Sequence, residues 1–381
     1  MLQLNTPPES EVEQYPIEPR YHPIHKIPRK IYDALASAKL AMALLVVILA
    51  CCVVGVTFYR GQAAVERIFN TLWFNALLVL LVVNVACCFF GRIWGRRVTV
   101  VSFGMILFHL CFVTMFLGVV YNSLFYFRGT IRLTEGETLV NSDPQSYDIM
   151  DHGRFFRYGR LKGDTSLITM HAGYTVEGKN KRVAYDVEVG EGAHRKRDIL
   201  FITKYLEYDG VKYFRDKEGY SLLVTLSDSR GNEISGAYVP LQSYKLKDDS
   251  FRYATGTKEA ESGFPFPHDL PQPLFDLLLV YHPSKLKERG GEVEFQIREH
   301  VTGSEHAPAA SAVTGKVAVG SALAAGTYSL AVREVRYWAA MQVSYEPGQP
   351  VILTSLWVGL FGVTLTTVGR IFRKRKNPAD T

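Results

Sequence analysis

Four long stretches of the chain contain no Asp, Glu, Lys or Arg and are dominated by hydrophobic residues: 40–59, 68–91, 98–127 and 351–369. A helix rises 1.5 Å per residue, so about 20 apolar residues cross the roughly 30 Å of hydrocarbon in a bilayer. We therefore predict four transmembrane helices, at about 40–59, 70–91, 99–121 and 351–370. The first is expected to be a retained anchor and not a cleaved signal, because 39 residues precede it and its apolar run is too long.

Between the third and fourth of these stretches, residues 128–350 follow a different pattern, in which apolar side chains recur at every second position. The clearest runs are Val183, Tyr185, Val187, Val189; Tyr220, Leu222, Val224, Leu226; Val293, Phe295, Ile297; and Tyr328, Leu330, Val332. This period is typical of strands with one buried face. The fold class predicted is a membrane α+β protein, with a large all-β domain, sandwich- or barrel-like, inserted between helices three and four.

One part of this domain breaks the pattern. Residues 245–274 include FPFPHDLPQP and lack regular alternation. We predict an irregular surface loop there.

Basic residues at the ends of the apolar stretches predict the orientation, since Lys and Arg concentrate on the cytoplasmic side. They lie in the N-terminal segment 1–39, in the short loop after the second stretch (Arg92, Arg96, Arg97), and in the tail 371–381. The loop between the first two stretches has only Arg60 and Arg67. Both termini are therefore expected in the cytoplasm, and residues 128–350 are expected to be exported.

The distribution of charge argues against a nucleic-acid partner. Residues 128–350 carry 28 Lys and Arg against 30 Asp and Glu, a net charge of −2, so the remaining residues contribute +8 to the total of +6. The basicity belongs to the membrane flanks. No basic stripe or recognition motif accompanies it.

The remaining chemistry is sparse. All five cysteines, at 51, 52, 87, 88 and 111, lie in the predicted helices, so no disulfide framework is expected in the exported domain. Small buried thiols are the expected role, with electron relay the less favoured alternative. The sequence has no C-x-x-C pair, nucleophile elbow, phosphate-binding loop or zinc-protease motif. The exported histidines are scattered, without metal-ligand spacing.

His109 is the one side chain with distinctive chemistry, since it lies in the middle of the third apolar stretch. An imidazole in hydrocarbon must form a hydrogen bond, face a cavity or bind a metal, and its neutral form is a metal ligand. Residue chemistry leaves two roles open: a ligand, or an interhelical hydrogen bond to a residue such as Asn75 or Asn84. In either case the ring is expected to face inward.

Several segments resemble a known family in their order along the chain: 35–39 (LASAK), 84–88 (NVACC), His109-Leu110 with Leu117-Gly118, 133–137 (LTEGE) and 337–350 (YWAAMQVSYEPGQP). Together with three helices, an exported domain and a final helix, they are similar to the ResB (CcsB) proteins of system II cytochrome c biogenesis. The resemblance spans nearly the whole chain. Thr203-Lys204-Tyr205 departs from the family's Asn-x-Pro at this point.

The resemblance implies a subunit in the cytoplasmic membrane that moves or holds haem b and assists its attachment to an exported apocytochrome c. It also implies a partner membrane protein of the ResC (CcsA) type, which supplies the tryptophan-rich loop that this chain lacks. His109 matches the histidine viewed in the family as an axial ligand of haem iron. The implied role is that of an accessory subunit, non-catalytic alone; the alternative is a scaffold or receptor whose β domain binds an exported protein.

Overall fold

The computed structural model describes residues 30–59, 62–93, 99–246, 251–256, 263–267, 271–284, 289–300 and 313–376. They divide into two compact units. The helical unit holds the described residues up to Val120 and from Pro350 onward, and the β unit is Tyr121–Gln349. The predicted basic flanks before Lys30, at 94–98 and after Lys376 lie outside the described residues.

Four long helices account for the apolar stretches within the described residues. They are α1, Ala38–Val54, extended by a π-helical turn Gly55–Tyr59; α2, Leu72–Ile93; α3, Val100–Phe125; and α4, Gln349–Lys376. Each is long and apolar enough to cross a membrane, so the four predicted segments are confirmed as membrane-length apolar helices. The third runs four residues beyond the predicted end at 121. His109 therefore lies nine residues after Val100 and sixteen before Phe125, off the centre of α3.

Helices α3 and α4 contact each other through small residues. A Cβ added to Gly362 would lie 2.8 Å from the carbonyl oxygen of Gly104, so only glycine permits this approach. The Thr114 and Ser355 hydroxyls share a hydrogen bond of 2.8 Å across the same interface. Lipid tails are as apolar as leucine, so close backbone packing and hydrogen bonds associate membrane helices.

The β unit contains seventeen strands within the described residues. They are β1 Phe127–Thr134, β2 Thr138–Val140, β3 Tyr147–His152, β4 Asp164–Val176, β5 Lys179–Gly190, β6 Lys196–Leu200, β7 Leu206–Tyr208, β8 Val211–Ser227, β9 Glu233–Pro240, β10 Gln242–Lys245, β11 Phe251–Ala254, β12 Phe264–Phe266, β13 Phe275–Pro283, β14 Gly291–Glu299, β15 Val313–Ala318, β16 Ala322–Ala325 and β17 Tyr328–Tyr345.

These strands form three antiparallel sheets. The largest has the order β3-β1-β17-β8-β7, with β16 on β17 and β9 on β8; the others are β10-β11-β13-β14-β15, with β12 on β13, and β2-β4-β5-β6. The strand orders do not close into a barrel. One apolar core joins all three sheets and contains most of the alternating residues that the sequence pattern selected. The prediction of a large β domain between the third and fourth helices is confirmed.

The pairing of β1 with β17 brings the two ends of the β unit together. Phe127, at the start of β1, lies opposite Tyr345, at the end of β17. The chain thus enters and leaves this unit on adjacent strands.

The prediction of a surface loop at 245–274 is wrong for its described part. Phe264–Phe266 forms strand β12 and Phe251–Ala254 forms β11, and both pair with β13. Phe266 is fully buried. Pro265, which lacks an amide hydrogen, is tolerated because β12 pairs on one side only.

Candidate functional site

The ring of His109 is anchored to its own helix. Its Nδ1 lies 2.8 Å from the carbonyl oxygen of Met105, one turn earlier in α3. A carbonyl oxygen only accepts, so Nδ1 carries the proton and donates it. In the neutral imidazole this places the lone pair on Nε2. The ring is thus held in the tautomer whose outer nitrogen is able to ligate a metal.

Aromatic rings surround the imidazole. The ring of Phe89, on α2, stacks on His109 with centroids 4.5 Å apart and planes 19° from parallel. Phe108 meets its edge at 5.7 Å. The side chain remains partly exposed on the surface of the helical unit. The ring therefore faces α2, as an inward orientation requires, but part of it stays exposed. Its Nε2 atom has no hydrogen-bond partner among the described residues.

The two asparagines considered as partners of His109 make other bonds. The amide of Asn84 donates to the carbonyl oxygens of Leu35 and Ser37, the latter at 3.0 Å. The amide of Asn75 donates to the carbonyl oxygen of Thr71 at 3.1 Å. The hydrogen bond that His109 forms lies within α3 and does not bridge helices.

Asn84 belongs to a contact between two segments that are distant in sequence. Two further hydrogen bonds join these segments. The thiol of Cys88 donates to Ala36 O at 2.9 Å, and the hydroxyl of Tyr32 donates to Cys87 O at 3.0 Å. The LASAK segment, whose last two residues begin α1, is therefore held against the NVACC segment of α2 by side-chain donors that bind backbone carbonyl oxygens.

The five cysteines are free thiols in the described helices. Cys111 is buried, as predicted, and donates to Phe108 O at 2.9 Å within α3. The other four are only partly buried, so the prediction of buried thiols holds for Cys111 alone.

In the β unit, the carboxylate of Glu135 is the most densely bonded acidic group described. Its side chain is 5% exposed. Oε1 accepts from the Met170 amide at 2.8 Å and the Thr169 hydroxyl at 3.0 Å, and Oε2 accepts from the Tyr337 amide at 3.2 Å. Arg289 supplies an ion pair at 2.9 Å. The LTEGE segment is thus joined to the YWAAMQ segment of β17.

A groove of about 740 Å³ opens on the same unit. Its lining includes Lys181 and Arg182 of β5, Arg215 of β8, and the tyrosines Tyr220, Tyr253 and Tyr337. Arg215 is paired with Glu218 at 2.6 Å. The excess of cations over carboxylates, above aromatic rings, suits an acidic or aromatic segment of another protein.

The histidines of the β unit do not form a metal centre among the described residues. His282 lies 3.6 Å from Glu294, and His300 lies 2.9 Å from Asp276. His152, His171 and His194 are separate from these pairs, while His268 and His306 lie outside the described residues.

Sequence reasoning singled out His109 but missed Phe89 and the groove. A phenylalanine in an apolar helix carries no signal that separates a stacking partner from a lipid-facing residue. The groove draws residues from β4, β5, β8, β10, β11 and β17, which only the tertiary structure brings together. The chain matches no known protein-family model, and no protein of curated function is detectably similar to it.

Proposed function

We propose that this protein is a membrane subunit of a system II cytochrome c biogenesis complex of the ResB (CcsB) type. In this proposal it lies in the cytoplasmic membrane with both termini in the cytoplasm and residues 128–350 exported. It works with a ResC (CcsA)-type membrane protein to hold or move haem b and to assist its attachment to an exported apocytochrome c. The covalent step belongs to the complex, and this chain is its accessory subunit.

The observation that carries the proposal is the state of His109. The Nδ1 atom donates to Met105 O, so in the neutral form of the ring the unshared pair lies on Nε2, within an apolar helix. Such a nitrogen is a suitable axial ligand for haem iron. The donor chemistry therefore fits the group that the resemblance implies.

A second line of support comes from the segments that carry the resemblance. LASAK contacts NVACC through Asn84 and Cys88, and LTEGE contacts YWAAMQ through Glu135. Each of these segments therefore contacts another one that is distant in sequence. Such contacts are expected if the segments, each weakly specific alone, belong to one shared fold.

Each residue of the site has a definable part in this function. When bound, haem b would supply two reactive parts: an iron atom that accepts a nitrogen ligand, and two vinyl groups that react with the thiols of a C-x-x-C-H sequence. The Met105 carbonyl fixes the tautomer and orientation of His109. Phe89 covers one face of the ring and Phe108 meets its edge, which limits the access of water to these sides. His109 would supply one nitrogen ligand to the haem iron, and any further protein ligand would have to come from the partner protein.

The test is co-purification of the chain with a ResC-type partner, followed by the absorption spectrum of bound haem. His109→Ala is expected to lower the haem content at least about tenfold, because it removes a ligand outright. His109→Gly should regain the haem spectrum when free imidazole is added, since the added ring restores the nitrogen donor.

Leu110→Ala is the matched control, because Leu110 is the next residue of α3 and its side chain is exposed. It should keep the wild-type haem content. Unchanged haem in His109→Ala would remove His109 from the role and with it the main support for the proposal.

A scaffold or receptor function is the second candidate, and the groove of the β unit favours it. Lys181, Arg182 and the partly exposed Tyr253 offer charge and aromatic surface to an exported protein without any haem chemistry. In the same experiment this candidate predicts that haem content does not depend on His109.

A further inference from the structure

A second cavity of the β unit, about 770 Å³ in volume, lies around the last turn of α3. We name it the arginine pocket and define it by Tyr121, Phe125, Arg154, Phe155, Arg157 and Arg160. The loop that carries its arginines is fastened to the end of this helix. The amide of Phe155 donates to Leu124 O at 2.8 Å, and that of Gly153 donates to Tyr126 O at 2.8 Å.

Two of the three arginines have uncompensated charge. Arg160 is paired with Asp209 at 3.1 Å and donates to the Tyr345 hydroxyl at 3.2 Å. Arg154 and Arg157 are exposed, and the guanidinium group of neither has an ion-pair or hydrogen-bond partner among the described residues. Among the described residues, no carboxylate lines the pocket. The pocket therefore presents two free guanidinium groups.

The aromatic side of the pocket is unusually open. Phe155 is 54% exposed and Tyr121 is 45% exposed. The Phe155 ring lies 5.9 Å from that of Phe125, in α3. Large rings left in water are unfavourable, and their exposure here calls for an apolar neighbour.

The position of the pocket along the chain identifies that neighbour. The uncharged stretch that contains α3 ends at Phe127, immediately before Arg128. The last turn of a membrane-length helix is where acyl chains give way to headgroups, and aromatic and basic side chains concentrate at this depth. Guanidinium forks bind phosphate oxygens in pairs.

We infer that the arginine pocket binds an anionic phospholipid. Arg154 and Arg157 hold its phosphate group, and Tyr121, Phe125 and Phe155 contact the upper part of its acyl chains. The site requires only a multi-pass membrane protein, so it is independent of the proposed role in cytochrome biogenesis.

Native mass spectrometry of the full chain, released from detergent micelles with added lipid, tests the inference. Phosphatidylglycerol and phosphatidylcholine with the same acyl chains are supplied at equal concentration. The wild type is expected to retain phosphatidylglycerol in clear excess. Arg154→Gln/Arg157→Gln should reduce that retention about tenfold, as expected for the loss of two cations near a phosphate.

Arg230→Gln/Arg333→Gln is the matched control, because it removes the same charge from exposed positions outside the pocket. It should leave retention unchanged. Arg154→Lys/Arg157→Lys, which keeps the charge and avoids any loss of fold through neutralisation, should retain phosphatidylglycerol above the level of the glutamine variant.

Three results would overturn the inference. The first is equal retention of both lipids by the wild type, and the second is equal retention of phosphatidylglycerol by the wild type and Arg154→Gln/Arg157→Gln. The third is full displacement of the lipid by equimolar glycerol 3-phosphate, which would show a site for a soluble phosphate and no contribution from the acyl chains.

Discussion

The carboxylate of Glu135 shows how one residue holds several strands together. It follows β1 directly, and its oxygens accept hydrogen bonds from the backbone amides of Met170 in β4 and Tyr337 in β17. These amides would otherwise be buried without a partner, and an unsatisfied buried donor costs about 1 to 3 kcal/mol. Arg289 offsets the charge of the carboxylate, although half of the arginine side chain remains in water.

Glu135→Ala is therefore expected to lower the free energy of unfolding of the β unit by about 2 to 4 kcal/mol. Chemical denaturation followed by tryptophan fluorescence measures this loss. Glu292→Ala is the control, because Glu292 forms an ion pair with Lys316 in which both side chains are exposed, and such pairs contribute little. Equal stability of Glu135→Ala and Glu292→Ala would show that the bonds to Glu135 are unimportant.

At the level of elements, the contact between α3 and α4 depends on how closely two backbones approach. A Cβ at Gly104 would lie 2.7 Å from the Gly362 carbonyl oxygen and 2.8 Å from the Thr366 backbone nitrogen. A Cβ at Gly118 would instead meet a side-chain carbon of Ile352 at 3.0 Å. A backbone atom cannot move without the helix, whereas a side chain can change its rotamer.

Gly104→Ala is thus expected to separate the two helices and to destabilise the helical unit by about 1 to 3 kcal/mol, the usual cost of overpacking. Gly118→Ala, the matched variant about four turns further along the same face of α3, should cost less. Thermal unfolding in detergent, followed by circular dichroism, compares the two. A larger loss in Gly118→Ala would contradict the interface described.

At the largest scale, a cluster of tyrosines joins two sheets of the β unit. Tyr220 and Tyr337 belong to the sheet that contains β8 and β17, and Tyr253 and Tyr281 belong to the sheet that contains β11 and β13. The ring of Tyr220 lies 4.7 Å from Tyr253, 4.9 Å from Tyr281 and 5.1 Å from Tyr337. Burial raises the pKa of Tyr281 to about 12 and also raises the pKa of Tyr220 and Tyr253.

This cluster predicts a loss of stability at alkaline pH. A tyrosine in the unfolded chain has a pKa near 10, so above about pH 10 the unfolded state releases protons that the folded state keeps. The stabilisation is complete below pH 10 and is lost as the pH rises toward about 12, the pKa of Tyr281. Denaturation midpoints measured between pH 8 and 12, with tyrosinate absorbance, follow the effect.

Tyr281→Phe should weaken this pH dependence, because one titrating hydroxyl is removed. Phe295→Leu alters a buried ring on the neighbouring strand β14 without touching a titratable group. It should lower stability at every pH and leave the pH dependence unchanged. The same dependence in wild type and Tyr281→Phe would show that the cluster does not titrate as described.

Features that depend on interactions between residues close in sequence could be predicted, and features that depend on distant residues could not. The helices and the alternating strands were evident because burial in lipid or against one sheet face imposes a local period on side chains. Strand β12 was missed because Phe264 and Phe266 alternate over only three residues and flank a proline. Its pairing with β13 is decided by the partner strand and not by its own composition.

The sequence by itself determined the four apolar spans, the β character of residues 128–350 and the choice of His109, since each depends on the free energy of placing a side chain in hydrocarbon or water. Only the tertiary structure decided the tautomer of His109, the bonds of Glu135, and the groups that form the groove and the arginine pocket. The tautomer depends on the position of one carbonyl oxygen within α3. The others depend on distances between atoms far apart in the chain, and a linear pattern of hydrophobic and polar residues contains no information on such distances.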